Sequence, residues 1–152
     1  MNAIAISLAT PADVDALAVL FDQYRQFYEQ STDLPRAVSF LRSRLENGNS
    51  TVLMAQTADG ALAGFCQLYP SFCSVDTAPI CILYDLFVAA EYRQKGVASA
   101  LLVAAEEQAR AQGAVRMELA TAITNTSAQR LYEATGWVRD TTFLHYSKAL
   151  AQ

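Results

Sequence analysis

Arg93-Gln94-Lys95-Gly96-Val97-Ala98 stands between an apolar, strand-like run at residues 80–88 and a run of helical periodicity at residues 97–112. A strand, a short basic turn and a helix start, in that order, build a backbone pocket for a pyrophosphate. The first amides of a helix have no partner one turn earlier, so they point free N–H groups outward, and the macrodipole adds positive potential. Gly96 has no Cβ to obstruct a close ligand, while Arg93 and Lys95 bring two cations to the same turn. Small residues follow at Ala98, Ser99 and Ala100, so phosphates could approach the helix backbone closely. Taken alone, the hexapeptide reads equally well as a solvated basic turn that begins a helix.

Working outward, 152 residues suit one ordinary domain, residues 1–152, large enough to fold without disulfides or a metal. Eleven Lys and Arg against 15 Asp and Glu leave a mildly acidic chain, which argues against nucleic acid as a partner and suits a cationic substrate better. Cys66, Cys73 and Cys81 lack metal-ligand or redox spacing, so they are expected to be reduced thiols. The single histidine, His145, would need a catalytic partner from far away in sequence and reads as structural. No basic leader precedes a long apolar core and no window is long enough to span a membrane, so the expected location is cytoplasmic.

Residues 3–8 alternate as a strand, and Thr10-Pro11 gives an N-cap with proline at the first helical position. Val14, Leu17, Phe21, Tyr24 and Tyr28 then share one face of a helix. A second helix is expected over residues 36–47, with Val38, Leu41 and Leu45 inward and Gly48 as its stop. Strand-like runs at 51–56 and 62–69 flank Ala58-Asp59-Gly60, a hairpin turn signal, and residues 70–79 read as a loop. The helix at 97–112 turns Val97, Leu101, Leu102 and Ala105 inward, a strand follows at 115–121, then a helix near 127–135 and a closing strand near 142–148. The order is that of a mixed α/β sheet. The strand, helix, strand unit across residues 80–121 should pair its strands in parallel, placing the basic turn at the carboxyl end of a strand.

A second dense signal runs from Asn125-Thr126-Ser127-Ala128-Gln129 through Arg130-Leu131-Tyr132 to Gly136-Trp137. Thr126 and Gln129 match a capping box that starts the helix just after Thr126 and leaves Asn125 at its mouth. Gly136 suits the left-handed C′ position, and Trp137 should fold back over Leu131 and Tyr132. Arg93-x-x-Gly96-x-Ala98 followed by Asn125-x-x-Ala128-x-x-Leu131-Tyr132-x-x-x-Gly136-Trp137, with Leu86-Phe87-Val88 ahead of them, resembles the GNAT family of N-acetyltransferases.

The resemblance implies a GNAT fold: a mixed central β-sheet flanked by helices, with a splayed parallel strand pair that binds acetyl-CoA as cosubstrate. The pantetheine arm would lie along Leu86, Phe87 and Val88 as an added strand, with the pyrophosphate on the amides of Gln94, Lys95, Gly96, Val97 and Ala98. An amide near Leu86 or Phe87 would receive oxyanion charge. Asn125 matches the residue that bonds the cofactor arm or orders a water, and Tyr132 matches a cofactor-binding residue that is also the general acid protonating the leaving thiolate. No metal is implied.

Many relatives carry a glutamate on the strand before the turn, whereas this chain reads Leu83-Tyr84-Asp85-Leu86. Asp85 is a candidate base, although regular alternation would let only one of Tyr84 and Asp85 face a given side. Glu118 and a chain of ordered waters are alternatives. The acceptor should be a primary amine of a small molecule, polyamine-like, or of a peptide, attacking directly in a ternary complex. It would meet residues 24–36, residues 70–79, His145 and Tyr146. Family members commonly pair through C-terminal strands, so a homodimer is expected. The rival reading is a non-catalytic module that binds or senses acyl-CoA, suggested by the missing strand glutamate and opposed by Tyr132. A phosphohydrolase and a dinucleotide dehydrogenase lack their motifs.

Overall fold

The computed structural model describes residues 3–152. The chain divides into two compact units, the first ending at Ala120 and the second running from Thr121 to Gln152. In the first unit, strand β1 (Ile4–Leu8) leads to a single 3-10 turn and helix α1 (Val14–Phe27). The start signal works as Thr10-Pro11 suggests: the Thr10 amide and hydroxyl both donate to Asp13 Oδ2, at 2.7 and 3.1 Å.

Helix α2 (Leu34–Glu46) begins two residues before the expected Arg36. Asp33 caps it by accepting the Arg36 amide at 3.1 Å, and Pro35 sits in the first turn, where its missing N–H costs nothing. Asp22 ties the α1–α2 connection together. Its buried carboxylate accepts the Asp33 amide at 2.8 Å and the Thr32 hydroxyl at 2.5 Å, with Arg25 at 3.6 Å. The Asp33 amide and then the Thr32 hydroxyl hold its pKa below the ordinary 3.8. A depressed folded pKa gives stability that is present above 3.8 and lost as pH falls through the folded value. Asp22→Ala is therefore expected to lower the melting temperature at pH 7 by several degrees, with a smaller deficit near pH 3. Equal deficits at both pH values would contradict this.

Strands β2 (Thr51–Thr57), β3 (Leu62–Cys73), β4 (Ala78–Val88) and β5 (Met117–Glu118) complete a sheet in the order β1-β2-β3-β4-β5. The first four are antiparallel, and β4 and β5 are parallel, Cys81 facing Met117 and Ile82 facing Glu118. The Asp59-Gly60 turn closes the β2–β3 hairpin, with Gly60 at φ +85° and the Thr57 amide bonded to Ala61 O at 3.0 Å. Helix α3 (Val97–Ala111) carries the chain from β4 to β5 and buries Val97, Leu101, Leu102 and Ala105 as their spacing predicts. Each large apolar side chain buried this way contributes about 1.5–3 kcal/mol.

The sheet has two covered faces. Gly64 lies under α3, where an added Cβ would meet Phe87 O at 2.7 Å and Val97 Cγ1 at 3.3 Å, so only glycine admits the helix this closely. By alternation, Phe65, Gln67 and Tyr69 project to the opposite face. There the rings of Phe21, Tyr24, Phe65 and Phe87 form one aromatic cluster with centroids 5.7–6.4 Å apart.

Three expectations are corrected. Residues 70–79 are mostly strand: β3 runs on to Cys73 and β4 starts at Ala78, joined by a turn in which the Thr77 amide bonds Ser74 O at 3.2 Å. Pro70 is tolerated because β2 stops pairing at Leu68, leaving that side of β3 as an edge. The strand expected over 115–121 shrinks to Met117–Glu118, since its ladder with β4 ends there. The closing strand expected over 142–148 is irregular chain with Phe143, Leu144 and Tyr146 exposed. A segment of strand-like composition does not make a strand without a ladder partner.

The second unit contains helix α4 (Thr126–Ala134). Its cap is Asn125, whose Oδ1 accepts the Ala128 amide at 3.2 Å, one residue earlier than the expected Thr126. Gln129 donates instead to the carbonyls of Ala122 and Ile123, at 3.0 and 2.9 Å. The helix ends as Gly136 predicts: Gly136 has φ +93°, its amide bonds Glu133 O at 3.3 Å and the Trp137 amide bonds Tyr132 O at 3.0 Å.

Candidate active site

The basic turn follows β4 through a 3-10 segment, Ala90–Tyr92. Gln94 has φ +60° and Gly96, the N-cap of α3, has φ +78°. Alternating backbone hands at such a turn aim successive amides into one concavity. The Ala100 amide bonds Gly96 O at 3.0 Å, so the Val97, Ala98 and Ser99 amides precede the first intrahelical bond and face outward at the helix mouth. Nothing lies within 4 Å of the position a Gly96 Cβ would take.

The two cations of the turn are engaged locally. Arg93 Nε donates to Val88 O at 3.0 Å, and its guanidinium lies over the rings of Phe87 and Phe27, at 5.6 and 5.9 Å. Lys95 Nζ donates to Glu91 O at 2.8 Å and lies 5.7 Å from the Tyr92 ring centre.

Leu86, Phe87 and Val88 face Cys66, Phe65 and Gly64 on β3. The pairing of β4 with β5 ends at Ile82, so β5 makes no ladder with β4 at these residues. The Phe87 side chain belongs to the aromatic cluster beside Tyr24, Phe27 and Phe65. What it offers outward is backbone.

A β-bulge sits beside these residues. Gln67 pairs with Asp85 and Leu68 with Leu83, which leaves Tyr84 as the extra residue on β4. The expectation that Tyr84 and Asp85 must face opposite sides fails for that reason. Asp85 is 5% exposed and accepts Gln67 Nε2 at 2.9 Å, and the Tyr84 ring lies 5.3 Å from that of Tyr69, on the same face. Gln67 is fully buried, and Ser50 Oγ donates to its Oε1 at 2.9 Å. The serine thereby turns the amide so that its NH2 points at the carboxylate.

Burial pushes the Asp85 pKa above its ordinary value, while the Gln67 amide and the approaching Tyr24 hydroxyl draw it partly back. Burial and then the Asp85 charge raise Tyr24, and the same causes push Tyr69 up to about 12. A carboxyl shifted toward neutrality, held by directed donors, has the properties of a proton acceptor. Sequence reading missed Gln67, Ser50 and the contribution of Tyr24. A glutamine inside the apolar run Leu62-Ala63-Gly64-Phe65-Cys66-Gln67-Leu68 was the available signal.

Glu118 is otherwise engaged: Arg116 Nε and Nη2 donate to its Oε1 at 3.0 and 2.9 Å, and Arg116 also pairs with Asp76. Cys66 is buried, which pushes its thiol up to about 12 and away from nucleophilic use. Among the described residues no group of His, Cys, Asp and Glu could hold a metal, and no helix is long and apolar enough to cross a membrane. In the second unit, Tyr132 packs against Trp137 with ring centres 6.1 Å apart, as the C-terminal glycine requires. Asn125 Oδ1 is used in capping, so its NH2 is the group left to donate elsewhere. His145 and Tyr146 are exposed.

A mixed sheet with a parallel pair at one edge, a bulged strand and outward amides at a helix mouth is the arrangement expected of an acyl-CoA-dependent transferase. The model of the acetyltransferase (GNAT) family matches residues 16–137, and the chain belongs to that family. An uncharacterised N-acetyltransferase of Bacillus subtilis (strain 168), YhfO, is 46% identical over 141 residues, which cover 93% of this chain and 94% of the relative. A solved structure of a probable acetyltransferase is 38% identical, with a TM-score of 0.91 over 97% of this chain and 99% of its own. An aminoglycoside N(6′)-acetyltransferase type 1 of Serratia marcescens is 28% identical across 72% of this chain and 77% of its own. The protein is an acetyl-CoA-dependent N-acetyltransferase.

Proposed function

We propose that the protein transfers acetyl from acetyl-CoA to a primary amine of a small cationic molecule, polyamine-like or aminoglycoside-like, or of a peptide, by direct attack in a ternary complex. The observation that carries this reading is Asp85, a buried carboxylate with a raised pKa, on β4 past the end of its ladder with β5. The aminoglycoside relative supports a small polycationic acceptor.

The amides of Gln94, Lys95, Gly96, Val97 and Ala98 receive the CoA diphosphate, and the edge of Leu86, Phe87 and Val88 pairs with the pantetheine arm. Arg93 and Lys95 add positive potential, and Asn125 donates to the arm. The acceptor arrives as an ammonium and gives a proton to Asp85. Its nitrogen then attacks the thioester carbonyl carbon, the C–S bond breaks, and Tyr132 supplies a proton to the departing thiolate; the nitrogen's second proton is lost through solvent to the Tyr132 phenolate, and Asp85 releases its own to water, which leaves the neutral amide and CoA thiol. Family matching across residues 16–137 bridges both compact units and supports their acting as one acetyltransferase domain. The exposed Phe143, Leu144 and Tyr146 support pairing with a second copy, and a cytoplasmic location fits the reduced cysteines.

Release of CoA across polyamines, aminoglycosides, amino acids and basic peptides tests this reading. Tyr132→Phe should lower kcat by about 100-fold while leaving acetyl-CoA binding intact. Undiminished turnover would remove Tyr132 from the acid role.

A further inference from the structure

We propose that Tyr84, Tyr69 and Asp85 form a subsite for an organic ammonium group, the ring faces attracting the cation and the carboxylate serving as its counter-ion. This deepens the acetyl-transfer reading and rests on it for the identity of the ligand as acceptor. Two independent observations converge.

The first is the uncompensated charge. Asp85 is 5% exposed, yet its partners are neutral donors, Gln67 and Tyr24, and among the described residues no cation pairs with it. Buried carboxylates are ordinarily paired with a positive group, because leaving water costs far more than neutral hydrogen bonds return. Arg44, whose charge reaches Tyr69, instead lies over the Phe40 ring at 5.3 Å. A bound ammonium would complete the pair.

The second is the bulge. Without it Tyr84 would project under α3; the extra residue carries it to the face that holds Asp85, where its ring meets Tyr69 at 60° with centres 5.3 Å apart. Tyr84 is nevertheless 65% exposed. Two rings set at an angle, open to solvent on one side and backed by a carboxylate, make a corner whose faces attract a cation. Selectivity for charged over neutral amines follows, with the proton then passing to Asp85.

Tetramethylammonium is a suitable probe because it carries the charge but has no proton to give and cannot be acetylated. Its binding is read from tyrosine fluorescence against sodium chloride at equal ionic strength, in the wild type, Tyr84→Phe and Tyr84→Leu. The wild type and Tyr84→Phe should show a saturable signal, and Tyr84→Leu should bind about tenfold more weakly. Acetyl-CoA should still raise the melting temperature of Tyr84→Leu, which shows that the variant is folded. A wild-type response no different from sodium chloride, or unchanged binding in Tyr84→Leu, would overturn the subsite. If amines are acetylated while tetramethylammonium does not bind, the subsite fails and acetyl transfer stands. Tyr84-dependent binding without turnover leaves the subsite standing and removes its role in transfer.

Discussion

Asp85→Asn is expected to lower kcat/KM for a cationic amine by about 100-fold or more, the usual contribution of a positioned base, and to make the folded protein more stable at pH 7. Both effects follow from the same burial. The folded pKa of Asp85 lies above the ordinary 3.8, so ionising this carboxyl costs the folded protein more than it costs the unfolded chain. Stability contributed by proton uptake grows as pH falls through the raised value and is absent well above it. Asparagine keeps the shape, can accept from Gln67 and Tyr24, and removes the charge. The variant should therefore gain melting temperature at pH 7 and lose that gain near pH 3. In the wild type, rates should fall on the acid side as Asp85 protonates, and the variant should lack this limb. An Asp85→Asn enzyme with wild-type rates and the same acid limb would dismiss Asp85 as the base.

Gly96→Val is expected to weaken acetyl-CoA binding by about tenfold or more, exceeding the loss from Arg93→Ala or Lys95→Ala. No neighbour would clash with the new side chain; the cost lies in the backbone. Gly96 has φ +78°, a left-handed conformation that costs an ordinary residue about 1–2 kcal/mol and a β-branched one more. Relief of that strain would swing the amides at the mouth of α3 away from a common focus. The cations are held by Val88 O and Glu91 O, so their removal should subtract long-range attraction without re-aiming the amides. Calorimetric titration with acetyl-CoA distinguishes these cases, and equal losses in all three variants would show that charge rather than backbone geometry dominates.

Much of this arrangement was legible because local chemistry decides it. Thr10-Pro11 marked a helix start, Asp59-Gly60 a hairpin, and Gly136-Trp137 a helix end that fixes the Tyr132 ring against its neighbour. What escaped depends on a partner distant in sequence. Residues 70–79 read as a loop, but Pro70 lies on β3 where β2 has already ended. The bulge at Tyr84 exists only as a mismatch between β3 and β4, so regular alternation along β4 wrongly kept Tyr84 and Asp85 off a common face. Sequence shows the charge of Arg93 but not the carbonyl and rings that hold its side chain. Residues 142–148 read as a closing strand but join no ladder.

Catalysis, as opposed to mere retention of acyl-CoA, is decided by incubating the protein with acetyl-CoA and a panel of cationic primary amines. Free CoA and the acetylated amine are then measured together by mass spectrometry. Equimolar CoA and N-acetyl product, both dependent on enzyme and on a cationic acceptor, is the predicted result. Saturable acetyl-CoA binding with no acetylated product from any amine would contradict it and leave an acyl-CoA-sensing module instead.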